Sequence, residues 1–310
     1  MSKKPLVLLT GGSGMVGRNI LEHPNSKYFK FIAPTSYELN LCDFNKVNSY
    51  LLKILPDIVV HAAGRVGGIQ ANINNPVNFL VENMDMGRNI LLASRSVGIK
   101  RVLNLASSCI YPSNADSPLS EDLILKGELE ATNEGYALSK IITLRLAQYI
   151  NKENQEYQYK TLIPCNLFGR FDKFDPLQSH LIPAIIHKIH LAKYNSELSV
   201  EIWGDGNARR EFMYASDLAD AILKVILDFD NVPQIMNIGV GWDHTIFDYY
   251  KTIAKIIGWN GDFYFNLFKP VGMKRKLVDI SLQNKWGWKS NTSLENAIIK
   301  TYNFYLENHK

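Results

Sequence analysis

Short runs of apolar and β-branched residues recur along the chain at Leu6 to Thr10, Phe29 to Ile32, Asp57 to His61, Arg101 to Leu105, Thr161 to Cys165 and Ile235 to Ile238. They are too short for helices and mostly lack polar alternation, the pattern of strands buried on both faces. Between them lie segments with apolar residues at helical spacing, notably Pro76 to Val97, Tyr136 to Lys152, Asp217 to Leu227 and Ile246 to Ile257. This alternation predicts an α/β fold with a doubly wound parallel sheet. It weakens from Arg170 to Glu211, where loop-like stretches surround one helix, and again after Asn260. Those stretches predict a smaller lobe. Residues 1–170 plus 212–243 are expected to form the main domain, and 171–211 plus 244–310 the attached lobe.

Composition narrows the class. At 310 residues the chain can bury one large core with a smaller attachment. No apolar run approaches the roughly 20 residues needed to cross a bilayer, and the basic start Met1-Ser2-Lys3-Lys4-Pro5 is followed by only a short apolar stretch before Gly11 and Gly12. A soluble, unexported protein is expected. Cys42, Cys109 and Cys165 form neither a C-x-x-C pair nor an even framework, which suits a reduced, cytoplasmic setting. A net charge of +4 without a basic block gives no reason to expect nucleic acid or membrane partners.

Directly after the first strand stands Thr10-Gly11-Gly12-Ser13-Gly14-Met15-Val16-Gly17, with glycines spaced G-x-x-G-x-x-G at the entry to a helix. Gly11 permits a tight turn, Gly14 lets a pyrophosphate approach backbone N–H groups, and Gly17 allows close helix-to-strand packing. This is a dinucleotide cradle of Rossmann type. The second strand ends in Ala33-Pro34-Thr35-Ser36, with hydroxyls and no carboxylate to repel a 2′-phosphate, so NADP(H) is favoured over NAD.

Tyr136 and Lys140 form Y-x-x-x-K at the start of a helical segment, and i, i+4 spacing puts both on one face. A nearby ammonium is expected to lower the phenol from its usual value of about 10, so that Tyr136 can exchange a proton with a carbonyl or alcohol oxygen. The strand ending in Ala106-Ser107-Ser108-Cys109 supplies a hydroxyl, that of Ser107, to orient the same oxygen. In extended backbone Ser107 and Cys109 share a side.

These residues resemble one family in particular, the GDP-L-fucose synthases, or GDP-4-keto-6-deoxymannose 3,5-epimerase-4-reductases, among the extended short-chain dehydrogenases/reductases. The resemblance rests on Ala62-Ala63 with Val66-Gly67-Gly68-Ile69, Glu82-Asn83-Met84, Ser107 to Pro112, Thr132-Asn133-Glu134, Asn166 to Gly169, Ser179 to Ala184, Trp203-Gly204, Arg210-Glu211-Phe212 and Arg275-Lys276-Leu277. It implies NADPH-dependent reduction of the C4 ketone of a GDP-linked 4-keto-6-deoxy sugar, with epimerisation at C3 and C5. It gives Cys109 and His180 the proton exchanges at those carbons, and sets Met15, Val16, Ala62, Ala63 and His180 beside the cofactor. Ser108, Asn166, Lys188, Trp203, Arg210 and Lys276 fall to the nucleotide sugar, and a homodimer is implied.

Three positions depart from the family pattern: Arg65, Lys188, and Lys269-Pro270-Val271-Gly272, which lacks an acidic residue before its glycine. A second reading is therefore a dedicated C4-reductase of a GDP-linked 6-deoxyheptose, without epimerisation. A UDP-sugar 4-epimerase or dehydratase, and a non-catalytic dinucleotide-binding protein, are more distant alternatives. His187 and His190 near His180 form poor zinc spacing, and no metal is expected.

Overall fold

The computed structural model describes residues 4–175, 179–269 and 271–308; Met1 to Lys3 of the basic start, and Pro270 of the variant loop, lie outside them. The first half of the chain runs β1 (Leu6–Thr10), α1 (Met15–Glu22), β2 (Lys30–Ile32), α2 (Phe44–Ile54), β3 (Ile58–His61), α3 (Ile69–Asn74), α4 (Pro76–Ser96), β4 (Arg101–Leu105) and α5 (Glu134–Glu153). There follow β5 (Gln158–Pro164), β6 (Asn166–Phe168), α6 (Leu181–Tyr194), β7 (Ser199–Trp203), β8 (Arg209–Arg210), β9 (Phe212–Tyr214), α7 (Ala215–Leu227) and β10 (Ile235–Ile238). The chain closes with β11 (His244–Thr245), α8 (Ile246–Ile257), β12 (Asp262–Asn266), β13 (Arg275–Lys276), α9 (Ser281–Trp286) and α10 (Leu294–Asn308).

Six parallel strands form the central sheet in the order β2-β1-β3-β4-β5-β10. Apolar runs of this kind populate both faces at once. Val7, Leu9 and Val60 join one core with Leu218 and Ile222 of α7, while Leu8, Val59 and Val102 join another with Val47 of α2, Ile90 of α4 and Ala147 of α5. The strand order reverses between β1 and β3, which opens a crevice beyond their carboxyl ends.

Two elements begin earlier than the apolar pattern indicates. β5 starts at Gln158 rather than Thr161, because the polar-looking Lys160 is a strand residue whose ammonium donates to the carbonyls of Phe229 and Val232. α5 starts at Glu134, two residues ahead of Tyr136. The strand before Ser107 ends at Leu105, and Ser108–Ile110 is a short 3-10 turn capped by Ser107. The expectation that Ser107 and Cys109 share a side in extended backbone is corrected accordingly: the turn, not a strand, carries them.

The irregular stretches gather around a third core, formed by Ile182, Ile185 and Ile189 of α6, Ile202 of β7, Tyr249 and Ile253 of α8, and Ile298 of α10. Glu211 lies at the joint between this core and the sheet. It is fully buried, and its carboxyl accepts N–H bonds from Val240 at 2.7 Å, Gly241 at 2.9 Å and Val278 at 2.9 Å. Burial pushes that carboxyl up to about 7, against the three donors that pull it down. Glu211→Ala would strand those N–H groups, and is expected to lower the unfolding free energy by about 3 kcal/mol in urea melts. A change within the ordinary surface range of about 0.5 kcal/mol would contradict this account.

Candidate active site

The crevice opens into a cavity of about 1120 Å³ that runs from the glycine turn, past the ends of β3 and β4, to α6, β8 and β13. At its first end the geometry explains each glycine. Gly11 has φ +74°, and a Cβ there would meet Ala63 Cα at 2.7 Å; at Gly17 one would meet the Gly11 carbonyl oxygen at 2.2 Å. The turn is therefore pressed between α1 and the Ala62-Ala63 segment, and Gly14 N-caps α1 with its N–H donating to Gly11 O at 3.0 Å. Gly11, Gly14, Met15, Val16, Ala62 and Ala63 line the cavity, whereas Gly17 packs behind it. Beneath the turn, Thr10 Oγ1 lies 2.8 Å from His61 Nδ1 and accepts from the Ala63 N–H at 3.3 Å. Burial, then the Lys140 charge, pushes His61 down to about 3, so this support is neutral.

Asn83 holds the next loop. Its Oδ1 accepts from Arg65 N at 2.8 Å and its Nδ2 donates to Arg65 O at 3.1 Å, while the Arg65 guanidinium pairs with Glu82 at 2.9 Å. This is the physical content of the Glu82-Asn83 pair.

Ser107, Tyr136 and Lys140 meet in the middle of the cavity. Tyr136 shares a hydrogen bond with Ser107, which favours the phenolate, but burial and the charge of Cys109 outweigh it and push the phenol up. The expected lowering by Lys140 does not occur. The Lys140 ammonium donates to Leu105 O at 3.1 Å, sits 5.7 Å from the Tyr136 ring centroid, and is itself pushed down to about 8 by burial. In this arrangement Tyr136 is an acid that keeps its proton.

Cys109 lies beside this group, and two donors converge on its sulfur: Lys276 Nζ at 3.3 Å and Asn133 Nδ2 at 3.6 Å. His180 occupies the N-cap of α6 and lines the same space; burial pushes its imidazole down, with Lys173 and Lys276 adding to the effect. Toward the second lobe, Arg210 donates to Arg209 O at 2.8 Å and Val271 O at 3.0 Å, and Lys188 donates to Glu201 O at 2.9 Å. Trp203 donates to Glu201 Oε2 at 3.0 Å under the Lys269 ammonium, 5.2 Å from its ring. Asn166 lines the cavity and donates to Glu211 O at 2.8 Å, while Ser108 is buried and does not line it.

Asn133 and Glu130 also line the cavity, yet sequence reasoning gave neither a role. The signal available was their position just before the Y-x-x-x-K helix. Among the described residues no group of three or more His, Cys, Asp or Glu could hold a metal; His187 lies 2.9 Å from the Tyr305 hydroxyl and His190 3.0 Å from that of Tyr302.

A doubly wound sheet with a glycine cradle at its switch point and a Ser-Tyr-Lys group in the adjoining cavity defines a dinucleotide-dependent oxidoreductase fold. Residues 7–239 match the NAD dependent epimerase/dehydratase family, and the chain belongs to it. It is 55% identical to a GDP-L-colitose synthase from Yersinia pseudotuberculosis over 97% of both chains. It is 47% identical to a GDP-L-fucose synthase from Azorhizobium caulinodans, over 99% of this chain and 98% of that one. A solved GDP-mannoheptose C4 reductase from Campylobacter jejuni with NADP bound superposes with a TM-score of 0.88 at 27% identity, covering 99% of both.

Lys140 sheds its charge as pH rises through about 8. Turnover is expected to fall along an alkaline limb with its midpoint near that value, and Lys140→Arg, charged throughout, is expected to be slow but to lack the limb. A pH-rate profile of both proteins from about pH 6 to about pH 10 checks this.

Proposed function

We propose that the chain reduces the C4 ketone of a GDP-linked 4-keto-6-deoxy sugar with NADPH, and epimerises carbons next to that ketone first. The observation that carries this reading is the meeting of Cys109, Ser107, Tyr136 and Lys140 in one cavity with the glycine cradle. The relatives named for GDP-L-colitose and GDP-L-fucose support the substrate class, and the C4 reductase solved with NADP supports the cofactor. The cradle turn closes only because Gly11 and Gly17 lack side chains, Gly14 leaves room for a diphosphate at the start of α1, and the cofactor would lie along Gly11 to Val16 and Ala62-Ala63.

When bound, NADPH supplies the hydride. Tyr136 gives its proton to the C4 oxygen, Ser107 hydrogen-bonds that oxygen, and Lys140 holds the ribose hydroxyls beside the phenol. A ketone at C4 acidifies the hydrogens on its neighbouring carbons. Cys109 takes one of them from one face, and His180 returns a proton from the other. Arg210 and Lys188 bind the diphosphate, and Trp203 offers a flat wall to the nucleotide. Residues 1–170 plus 212–243 carry the cofactor, and 171–211 plus 244–310 the sugar nucleotide.

Among the described residues no helix is long and apolar enough to cross a membrane; the reduced thiols and the nucleotide-sugar chemistry suit the cytoplasm. Val77 and Val81 of α4 and Ile142 and Tyr149 of α5 are exposed on two helices packed against each other, which suits pairing with a second copy. Sedimentation should give a dimer that Val81→Glu with Ile142→Glu converts to monomer.

Tyr136→Phe is expected to lower reduction by about 10³-fold or more while NADPH still binds; turnover near the wild-type rate would overturn the assignment. In D2O, deuterium next to C4 of the product would establish epimerisation, and reduction without it would assign a dedicated C4-reductase.

A further inference from the structure

The Cys109 sulfur is more than a group that happens to face the cavity. Lys276 Nζ stands 3.3 Å from it and Asn133 Nδ2 3.6 Å, from elements far apart in the chain. Neither donor is casual. Lys276 is 8% exposed, and β13 pairs Lys276 with Arg210 while the Glu211 N–H donates to Lys276 O at 3.2 Å. Asn133 spends its amide N–H on the sulfur, and its Oδ1 is buried with no hydrogen-bond partner in a side chain that lines the cavity. Other charged or titratable groups that line the same cavity include Tyr136, Lys140, His180, Arg210 and Glu130.

We propose that Lys276 and Asn133 are positioning residues for Cys109: together they aim two donors at its sulfur and set it to remove the proton, and Lys276 serves the sulfur rather than the nucleotide sugar. This rests on the reading of Cys109 as the base. An ammonium and an amide N–H directed at one sulfur stabilise negative charge there, and the thiolate is the form that takes a proton. In the step, the sulfur lone pair forms the S–H bond, the C–H electron pair moves into the carbon skeleton, and the C4 oxygen takes up the negative charge as an enolate. The uncharged thiol then keeps the neutral Asn133 contact.

The test is alkylation of Cys109 by iodoacetamide at pH 7, followed by peptide mass spectrometry, with the exposed Cys42 as internal reference. Lys276→Met is expected to slow modification of Cys109 by about fivefold or more relative to Cys42, Asn133→Ala by about twofold, and Lys276→Arg to restore most of the rate. Exchange of solvent deuterium into GDP-4-keto-6-deoxymannose, measured without NADPH, should fall in these variants by the same factors relative to wild type. A Cys109 rate unchanged in both Lys276→Met and Asn133→Ala, with only a raised KM for the sugar nucleotide, would overturn the proposal and return Lys276 to the nucleotide sugar. No sugar enters the alkylation assay. Slowed alkylation with no deuterium exchange in the wild type would therefore uphold the clamp on the sulfur while rejecting the epimerase reading.

Discussion

The carboxyl of Glu211 is shut away from water, and backbone N–H groups from two distant segments, Val240-Gly241 and Val278, close on it. Those segments would otherwise be loops leaving the sheet and the second lobe in separate directions. Their N–H groups gain a charge-capable acceptor, and in return they fix Glu211 at the junction of β8 and β9. Arg210 precedes it in the chain, Asn166 donates to its carbonyl, and Lys276 lies alongside through β13. Three cavity residues thus take their register from one buried acid. The arrangement costs desolvation, as the upward push on the carboxyl shows, and that cost is met by hydrogen bonds rather than by an ion pair.

The parts of this fold that repeat a simple period were readable from the chain. Strands β1, β3, β4 and β10 and helices α4, α5, α7 and α8 coincide with apolar runs or helical stripes to within a few residues. The glycine cradle was legible for a different reason: positions where any Cβ would strike a carbonyl or a Cα admit only glycine, so the constraint is written directly as residue type. What escaped depends on long-range partners. Lys160 reads as a surface residue until the carbonyls of Phe229 and Val232 are brought over its ammonium. Glu211 reads as part of a charged motif until the loops close on it. Asn133 is only part of a matching stretch until the 3-10 turn at Ser108–Ile110 brings Cys109 under its amide.

Spacing alone predicts the wrong electrostatics for the Tyr-Lys pair. Helical i, i+4 geometry places Lys140 near the Tyr136 ring, but proximity to a ring is not contact with its hydroxyl, and the ammonium is taken by Leu105 O. Burial then acts on both groups at once and favours the uncharged form of each. A phenol that holds its proton is the right partner for a step that must deliver one.

Cys109 and Tyr136 lie close enough that negative charge on the sulfur raises the phenol's hold on its proton. Two anions side by side repel, so the site tolerates one at a time. The chemistry is thereby put in sequence without any moving part. On the proposed mechanism the phenol stays loaded while the sulfur works as a base; once the sulfur has been neutralised its share of the restraint is lifted, burial remaining the larger one, and the proton can go to the C4 oxygen. On that mechanism, timing is a property of charge spacing, built into two side chains on neighbouring elements.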